Sequence, residues 1–478
     1  MAEQLNGTNA EVTDNHLFIF PREEEITDED LQAMINKNVA WSTDYQENWK
    51  LYIGEHDILN QPAKQFGPDN RLVVNLPHYI VDTFNGYFLG IPPKITLDED
   101  QENQALQQWN DTNSLQDKLN EVSKLTDIYG RAMLFAYQNE DSETKIAVVA
   151  PTEGFIVYDD TIARQPIAFI RYAKSLKGAG YNGTIYYADK TIAFTDTKVG
   201  DEGVNQFGLV PAVEFFENEE RQGTFDNVKS LVQSLDKVLS QKANQIEYFD
   251  NAYLKMLGLN LDQDGDGKPD IDIRDNHLIY SSDAESANAQ IDFISKPDAD
   301  GMQENMINRL VDMVYQVSMV ANLNDKEFSG NSSGVALKYK LLPMQNMAAN
   351  KERKFTQSLR QLYRVLFSVK TIVNDVEAWQ RLSFQFTRNM PANLLDEAQT
   401  AQELMGVTSH ETAMKPLSVV DDPKQEMEKI REEQAEATRN ALRYSPSATD
   451  QEKVSEDDEN DKEIVGFRKN GESDDEEE

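Results

Sequence analysis

Residues 335–370 read VALKYKLLPMQNMAANKERKFTQSLRQLYRVLFSVK. This stretch has no turn residue until its far end, so it reads as one long helix over 335–373. Pro343 sits inside it. Proline removes one ladder bond and its ring clashes with the preceding turn, so a kink is expected there. The same stretch carries Lys338, Lys340, Lys351, Arg353, Lys354, Arg360, Arg364 and Lys370 against a single acid, Glu352. The chain around it is acidic: 84 Asp and Glu against 46 Lys and Arg, a formal charge of −38 over 478 residues. Two uses fit a basic strip in such a chain. It can face phosphates, or it can pair with acidic faces of the same or neighbouring subunits.

Working outward, Leu323 to Gly334 is a polar loop rich in Gly, Ser and Asn. Before it, Gly301 to Ala321 reads as a second long helix. Earlier still, Val228, Leu231, Leu235, Val238, Ala243, Ile246, Phe249, Tyr253 and Met256 recur at steps of mostly three and four until Gly258. That predicts about 30 unbroken helical residues, nearly three times the usual length. Between these two helices lies a short insert with strand signals at His277–Tyr280 and Ile291–Ile294. Long helices that are apolar on more than one face need partners on several sides, and a ring of identical subunits supplies them. After the basic helix, Arg381 to Thr387 alternates as a strand with Leu382, Phe384 and Phe386 on one face. Two helices follow: Leu394–Leu404, ended at Gly406, and, after a capping turn Val407–Ser409, a strongly charged one over Asp422–Arg443. Residues 445–478 hold 14 acids and 4 basic residues and are expected to be disordered.

Towards the N-terminus, residues 1–25 are polar and aperiodic and read as a flexible arm. Helices are expected at Ile26–Tyr52, capped by Thr27, at Leu72–Leu89, and at Leu115–Tyr129. Then the period changes. Ala132–Tyr137, Ile146–Val149, Phe155–Tyr158, Ile167–Tyr172, Thr184–Tyr187 and Thr191–Thr195 read as the short strands of an antiparallel meander, with Lys177–Gly183 as a hairpin tip. The fold class is α+β.

Length gives about three domains' worth of chain. There is no cysteine, which rules out disulfides, thiolate metal sites and a cysteine nucleophile. The five histidines, His16, His56, His78, His277 and His410, form no paired metal motif. The net charge argues against nonspecific coating of nucleic acid. The only early apolar burst is Leu17-Phe18-Ile19-Phe20, too short for a signal sequence. Leu310–Leu323 is too short and polar to span a bilayer. The expectation is a soluble protein made in a reducing compartment.

Two chemical motifs fail on context. Gly178-Ala-Gly180-Tyr-Asn-Gly183 matches the dinucleotide glycine pattern, but a strand follows where a helix is required. Gly330-Asn-Ser332-Ser-Gly334 matches the nucleophile-elbow pattern, but a helix precedes it and only His410 lies downstream. The third is stronger. Asp262, Asp264, Asp266 and Asp270, with Gly267 at the sixth position, fit an oxygen-ligand loop for Ca²⁺ or Mg²⁺. Ile273 stands where a bidentate Glu is expected, and an exposed Asp/Gly turn is the alternative reading.

The order of parts resembles the tailed-bacteriophage portal protein family of the SPP-one-like type. The local residues that carry the likeness are Gln245-Ile-Glu-Tyr-Phe-Asp250, Ser333-Gly-Val-Ala-Leu-Lys-Tyr-Lys-Leu341, Phe384-Gln-Phe-Thr-Arg388, Gly406-Val-Thr-Ser-His-Glu411 and Asp421-Asp-Pro-Lys-Gln-Glu-Met-Glu428. The likeness covers about residues 26–440. It implies a portal fold: an α/β wing over 26–225, stem helices over 226–258 and 300–322, and a small α/β clip over 259–299. A tunnel loop would span 323–334 and the kinked tunnel helix 335–374. A wing return strand would follow over 375–393, and a helical crown over 394–444. It also implies a non-enzymatic homododecamer at one capsid vertex of the virion, assembled in the bacterial host cytoplasm, through which double-stranded DNA is packaged and ejected. Its partners would be the terminase large subunit, head-completion and adaptor proteins of the head-tail connector, scaffolding protein and major capsid protein. No cofactor is required. In this reading Lys326, Ser329, Gly330, Asn331, Ser332 and Ser333, with Lys338 and Lys340, approach the DNA in the channel. Two other classes fit parts of the sequence: an acidic helical scaffold without DNA, and a metal-dependent phosphoesterase using the carboxylates at 262–272.

The aspartate turn makes its own expectation. Calorimetric titration of the chain with Ca²⁺ should release or absorb heat, and Asp264→Ala should abolish it; a wild-type chain that gives no heat sinks the site.

Overall fold

The computed structural model describes residues 2–443 except 66, 177, 179, 251–253, 258–277, 282–289, 294–299, 324–333, 391–393, 418 and 421–422. The chain divides into two compact units, 1–389 and 390–478.

In the first unit the chain opens with β1 (Ala2–Gln4), β2 (Glu11–Thr13) and β3 (Phe18–Phe20), then α1 (Asp28–Ile53), α2 (Leu76–Leu89), β4 (Lys94–Thr96), α3 (Asp100–Thr112) and α4 (Leu115–Tyr129). The strands β5 (Arg131–Gln138), β6 (Thr144–Val149), β7 (Gly154–Asp159), β8 (Pro166–Lys174), β9 (Tyr181–Tyr187), β10 (Lys190–Thr195), β11 (Lys198–Val204) and β12 (Ala212–Phe216) follow. Next come α5 (Lys229–Asp250), β13 (Leu254–Leu257), β14 (Leu278–Ser281), β15 (Gln290–Phe293), α6 (Asp300–Ser318), α7 (Gly334–Ser368) and β16 (Ser383–Gln385). The second unit contains α8 (Leu394–Leu404), α9 (His410–Met414) and α10 (Pro423–Arg443).

The N-terminal segment is the main correction to the sequence reading. Residues 1–25 do not form a free arm. β1, β2 and β3 extend an eight-stranded sheet in the order β1-β2-β3-β7-β8-β9-β10-β11, with β3 parallel to β7. The short apolar burst is what holds it: Phe18 and Phe20 are fully buried, and Phe18 packs 4.4 Å from Phe155 and 5.0 Å from Trp41. Arg131 reaches back and donates to the carbonyls of Asn15 and His16 at 2.7 and 2.8 Å. Polar composition hid a strand of three residues whose apolar side chains complete a neighbour's core.

α1 starts at a reciprocal capping box. Thr27 Oγ1 accepts from the Asp30 amide at 3.2 Å, and the Asp30 carboxylate accepts from the Thr27 amide at 3.1 Å. The helix ends at Gly54, whose φ of 85° suits glycine. β7 to β10 form an antiparallel meander as expected, β11, unmarked in the sequence reading, extends it, and the expected strands β5 and β6 lie in a second sheet. β12, unmarked in the sequence reading, joins β5 and β6 in a three-stranded sheet. Met133, Phe135, Val149 and Ala212 of that sheet meet Ile156 and Phe169 of the larger one in a shared core.

Two other expectations change. The first long helix ends at Asp250, well short of Gly258, and Leu254–Leu257 is the central strand of a three-stranded sheet, β14-β13-β15. Leu254 pairs with Leu278 on one side and Phe293 on the other. Steps of three and four continue by chance into a segment whose backbone is satisfied on both edges. The return strand is shorter than its alternation suggested: only Ser383–Gln385 pairs, with β4, after a 3₁₀ turn at Ala378–Arg381. α7 runs through Pro343 and ends at Ser368. In the second unit, Gly406 turns at φ 99° and Ser409 caps α9 by accepting from the Thr412 amide.

Candidate functional site

α7 and α5 are the elements that the sequence singles out, and both are pinned by buried polar groups. On α7, Leu341, Met344, Ala348, Phe355, Leu359, Leu362 and Leu366 are buried at steps of mostly three and four. Lys351 stands in this stripe and is itself fully buried. Its ammonium lies 2.6 Å from Asp127 of α4 and 2.8 Å from Glu217, just past β12. It also lies 5.2 and 5.3 Å from the rings of Phe84 and Phe88 on α2. Burial pulls the Lys351 pKa down, but the two carboxyl groups outweigh it and hold the pKa above the ordinary value. Further along the helix, Lys354 pairs with Glu219, Ser358 donates to the Glu214 carbonyl at 2.6 Å, and Tyr363 donates to Asn110 at 2.9 Å.

The side chain of Glu214 faces a second buried cluster. It accepts from Tyr158 at 2.8 Å and meets Arg221 at 3.2 Å and Arg131 at 3.4 Å. Burial raises its pKa, but the two guanidinium groups overcome that and hold it below the usual carboxylate range. Burial beside this carboxylate pushes the Tyr158 phenol well up.

α5 is held by a ladder. Asn244, Ser240 and Asp236 accept the backbone amides of Asn70, Leu72 and Val74 at 2.5, 2.8 and 2.9 Å. Four residues of helix rise about 6.0 Å and two residues of extended chain about 6.6 Å, so every fourth helical side chain meets every second amide. The other oxygen of Asp236 lies 2.5 Å from His56 Nδ1, and His56 Nε2 lies 3.1 Å from the Leu51 carbonyl. With an acceptor on each nitrogen, the ring is held as imidazolium. Burial alone would lower the His56 pKa, but its hydrogen bond to Asp236 and that residue's charge raise it.

α6 packs on α5, with Leu310, Val314 and Ser318 buried and Lys242 paired to Glu304. A second apolar stripe on α6 is left uncovered among the described residues: Met302 is 72% exposed, Met306 46%, Met313 38% and Val317 43%. Tyr339 and Leu342 on α7 and Ile246 on α5 are exposed as well.

The basic strip is therefore not one surface. Lys351 and Lys354 are committed to acids of the same subunit. Arg360 lies 5.2 Å over Phe384 and Arg364 lies 5.8 Å over Trp379. Arg353, exposed, donates to Asn350 at 3.0 Å. Pairing within the subunit accounts for the centre of the strip, which removes Lys351 from any phosphate-facing role. Its place in the apolar stripe, between Ala348 and Phe355, was the available signal. Lys338 and Lys340 lie on the first two turns of α7. Lys326, Ser329, Gly330, Asn331, Ser332 and Ser333 lie outside the described residues, as do Asp262, Asp264, Asp266 and Asp270. Among the described residues no cluster of His, Asp and Glu is arranged to hold a metal, and no helix is long and apolar enough to cross a membrane.

Comparison with known proteins bears on these elements as a set. The family model described as "Phage portal protein, SPP1 Gp6-like" matches residues 32–440. The portal protein of Bacillus phage SPP1 is 23% identical over 384 residues, covering 74% of each chain. The portal protein of Clostridium phage phiCD119 is 21% identical over 436 residues, covering 84% of this chain and 95% of that one.

His56→Ala should strand Asp236 in the interior and cost about 3–5 kcal/mol. The raised His56 pKa sets the sign: the pair's contribution is full below about pH 6.5 and is lost as pH rises through the raised value. Urea unfolding of both chains at stepped pH should show the stability gap narrowing towards alkaline pH; a gap that stays constant contradicts the charged pair.

Proposed function

The chain belongs to the SPP1 Gp6-like phage portal protein family, and from that premise we propose that it forms a twelve-fold ring at one capsid vertex through which double-stranded DNA enters and leaves. Family membership makes it a structural, non-enzymatic component of the virion. The observation that carries the ring is the uncovered stripe Met302, Met306, Met313 and Val317 beside the stripe that α6 already buries. One helix with two apolar faces, only one of them covered among the described residues, suits a second copy of the chain, and a head-to-tail contact there gives a ring when its rotation closes.

In this reading α5 and α6 are the stem, and the small sheet β14-β13-β15 belongs to the clip that seats the terminase large subunit and later the head-completion proteins. Residues 323–334 are the tunnel loop, and α7 carries them. Scaffolding and major capsid proteins meet the outer parts of the ring during assembly in the host cytoplasm. An acidic channel wall suits cargo that must pass. Phosphates about 10 Å away are repelled only weakly at about 0.1 M salt, so duplex DNA slides without being held. Contact then falls to Lys326 and the small residues Ser329 to Ser333, with Lys338 and Lys340 beside them. A divalent cation at the Asp262–Asp270 turn would stabilise the clip.

Two outcomes are expected. Wild-type protein in negative stain should show rings with a central hole, and Met306→Asp should yield folded but unassembled subunits by light scattering; rings of normal yield in that variant refute the stripe as the interface. Deleting 329–333 should leave rings intact and block DNA packaging, and normal filling would refute the assignment of the loop.

A further inference from the structure

The anchor at Lys351 carries an imbalance of charge. One ammonium faces two carboxyl groups, and the side chains of Lys351, Asp127 and Glu217 are 0, 0 and 4% exposed. Among the described residues the remaining walls supply no second cation. Phe84 and Phe88 of α2 present ring faces, and the Ser123 carbonyl accepts from the ammonium at 3.2 Å. The nearby cations are engaged elsewhere: Arg131 and Arg221 with Glu214, Lys354 with Glu219, and Arg388 with Glu352. With both carboxyl groups ionised, one negative charge would sit uncompensated in the interior, a state that proteins avoid by neutralising a group.

We propose that a proton is held at Asp127, beside Glu217, so that the cluster is one ammonium, one carboxylate and one carboxylic acid. Asp127 Oδ2 is buried with no hydrogen-bond partner, which is where a proton has room, and the two carboxyl groups share one cation, the Lys351 ammonium lying 2.6 Å from Asp127 Oδ1 and 2.8 Å from Glu217 Oε2. Burial pushes the Asp127 carboxyl well above its usual range, and the pull of Lys351 does not cancel that. The cluster joins three elements: α4 through Asp127, α7 through Lys351, and the exit of β12 through Glu217, whose amide donates to the Gly130 carbonyl. Loaded with its proton, the joint is neutral and tight. A group whose folded-state pKa is raised contributes stability at low pH and loses it as pH rises through that pKa. The hold on α7 is therefore firmest on the acid side and weakens towards alkaline pH.

The test uses Asp127→Asn, Glu217→Gln and the double variant in the full chain. Each single isostere leaves one carboxylate for Lys351 and puts fixed amide hydrogens in place of the proton, so each should fold and keep α7 protected from hydrogen exchange. The double variant leaves Lys351 buried without a carboxylate and should lose that protection. Relative to Asp127→Asn, the wild-type unfolding equilibrium constant should rise by up to about tenfold per pH unit across the titration. Infrared spectra of the wild-type chain near neutral pH should show a buried carboxylic acid carbonyl stretch that either single variant removes. Single variants as damaged as the double one overturn the proposal. So do a wild-type spectrum without the acid band and identical pH profiles of wild type and variant.

Discussion

The burial of Lys351 on the apolar face of α7 is the constraint around which the first unit is arranged. A helix 35 residues long has no intrinsic reason to stop at one rotation about its axis when apolar residues occupy more than one face. A lysine in the middle of the buried stripe supplies that reason. Its ammonium must find carboxylates, and it finds two of them between α4 and the exit of β12. Rotating or sliding α7 by one turn would leave all three groups buried and unpaired, which costs more than any gain in apolar contact returns. Lys354, Ser358 and Tyr363 then fall against their own partners along the same line.

The same logic operates on α5 with backbone as the partner. The extended segment 70–74 pairs with no strand, yet its amides are not left bare. Helical side chains at 236, 240 and 244 take the acceptor role that a neighbouring strand would have filled. This explains polar residues recurring at steps of four on a helix that otherwise reads as amphipathic. It also explains how α5 and α7 are fixed to the α/β body by polar registers, while the apolar stripe on α6 stays exposed.

The parts of the fold visible in the sequence are those governed by local period. α1, α2, α4, the meander strands and α7 lie within a few residues of where spacing, Thr27 and the glycines place them. The parts that were hidden depend on a distant partner. Phe18 and Phe20 make a strand only because β7 offers an edge and Trp41 a wall. Leu254–Leu257 is a strand because β14 and β15 flank it, although its apolar spacing continues the helix before it. β12 has no alternation because both of its faces are covered. Of the basic strip, the composition was legible and the roles were not, since charge does not say which cations meet acids of the same chain.

By itself the sequence determined the class of protein: an acidic, cysteine-free α+β chain whose order of long helices, loop, proline-bearing basic helix and return strand matches one phage family. Those features follow from local propensity and from the order of segments, both of which are written along one dimension. Only the tertiary structure decided that Lys351 is an interior anchor, that the N-terminal segment belongs to the main sheet, and that His56 and Asp236 fasten α5. Each of these joins residues more than 100 positions apart, and the energy of a buried charge or an unpaired amide depends on what surrounds it in space.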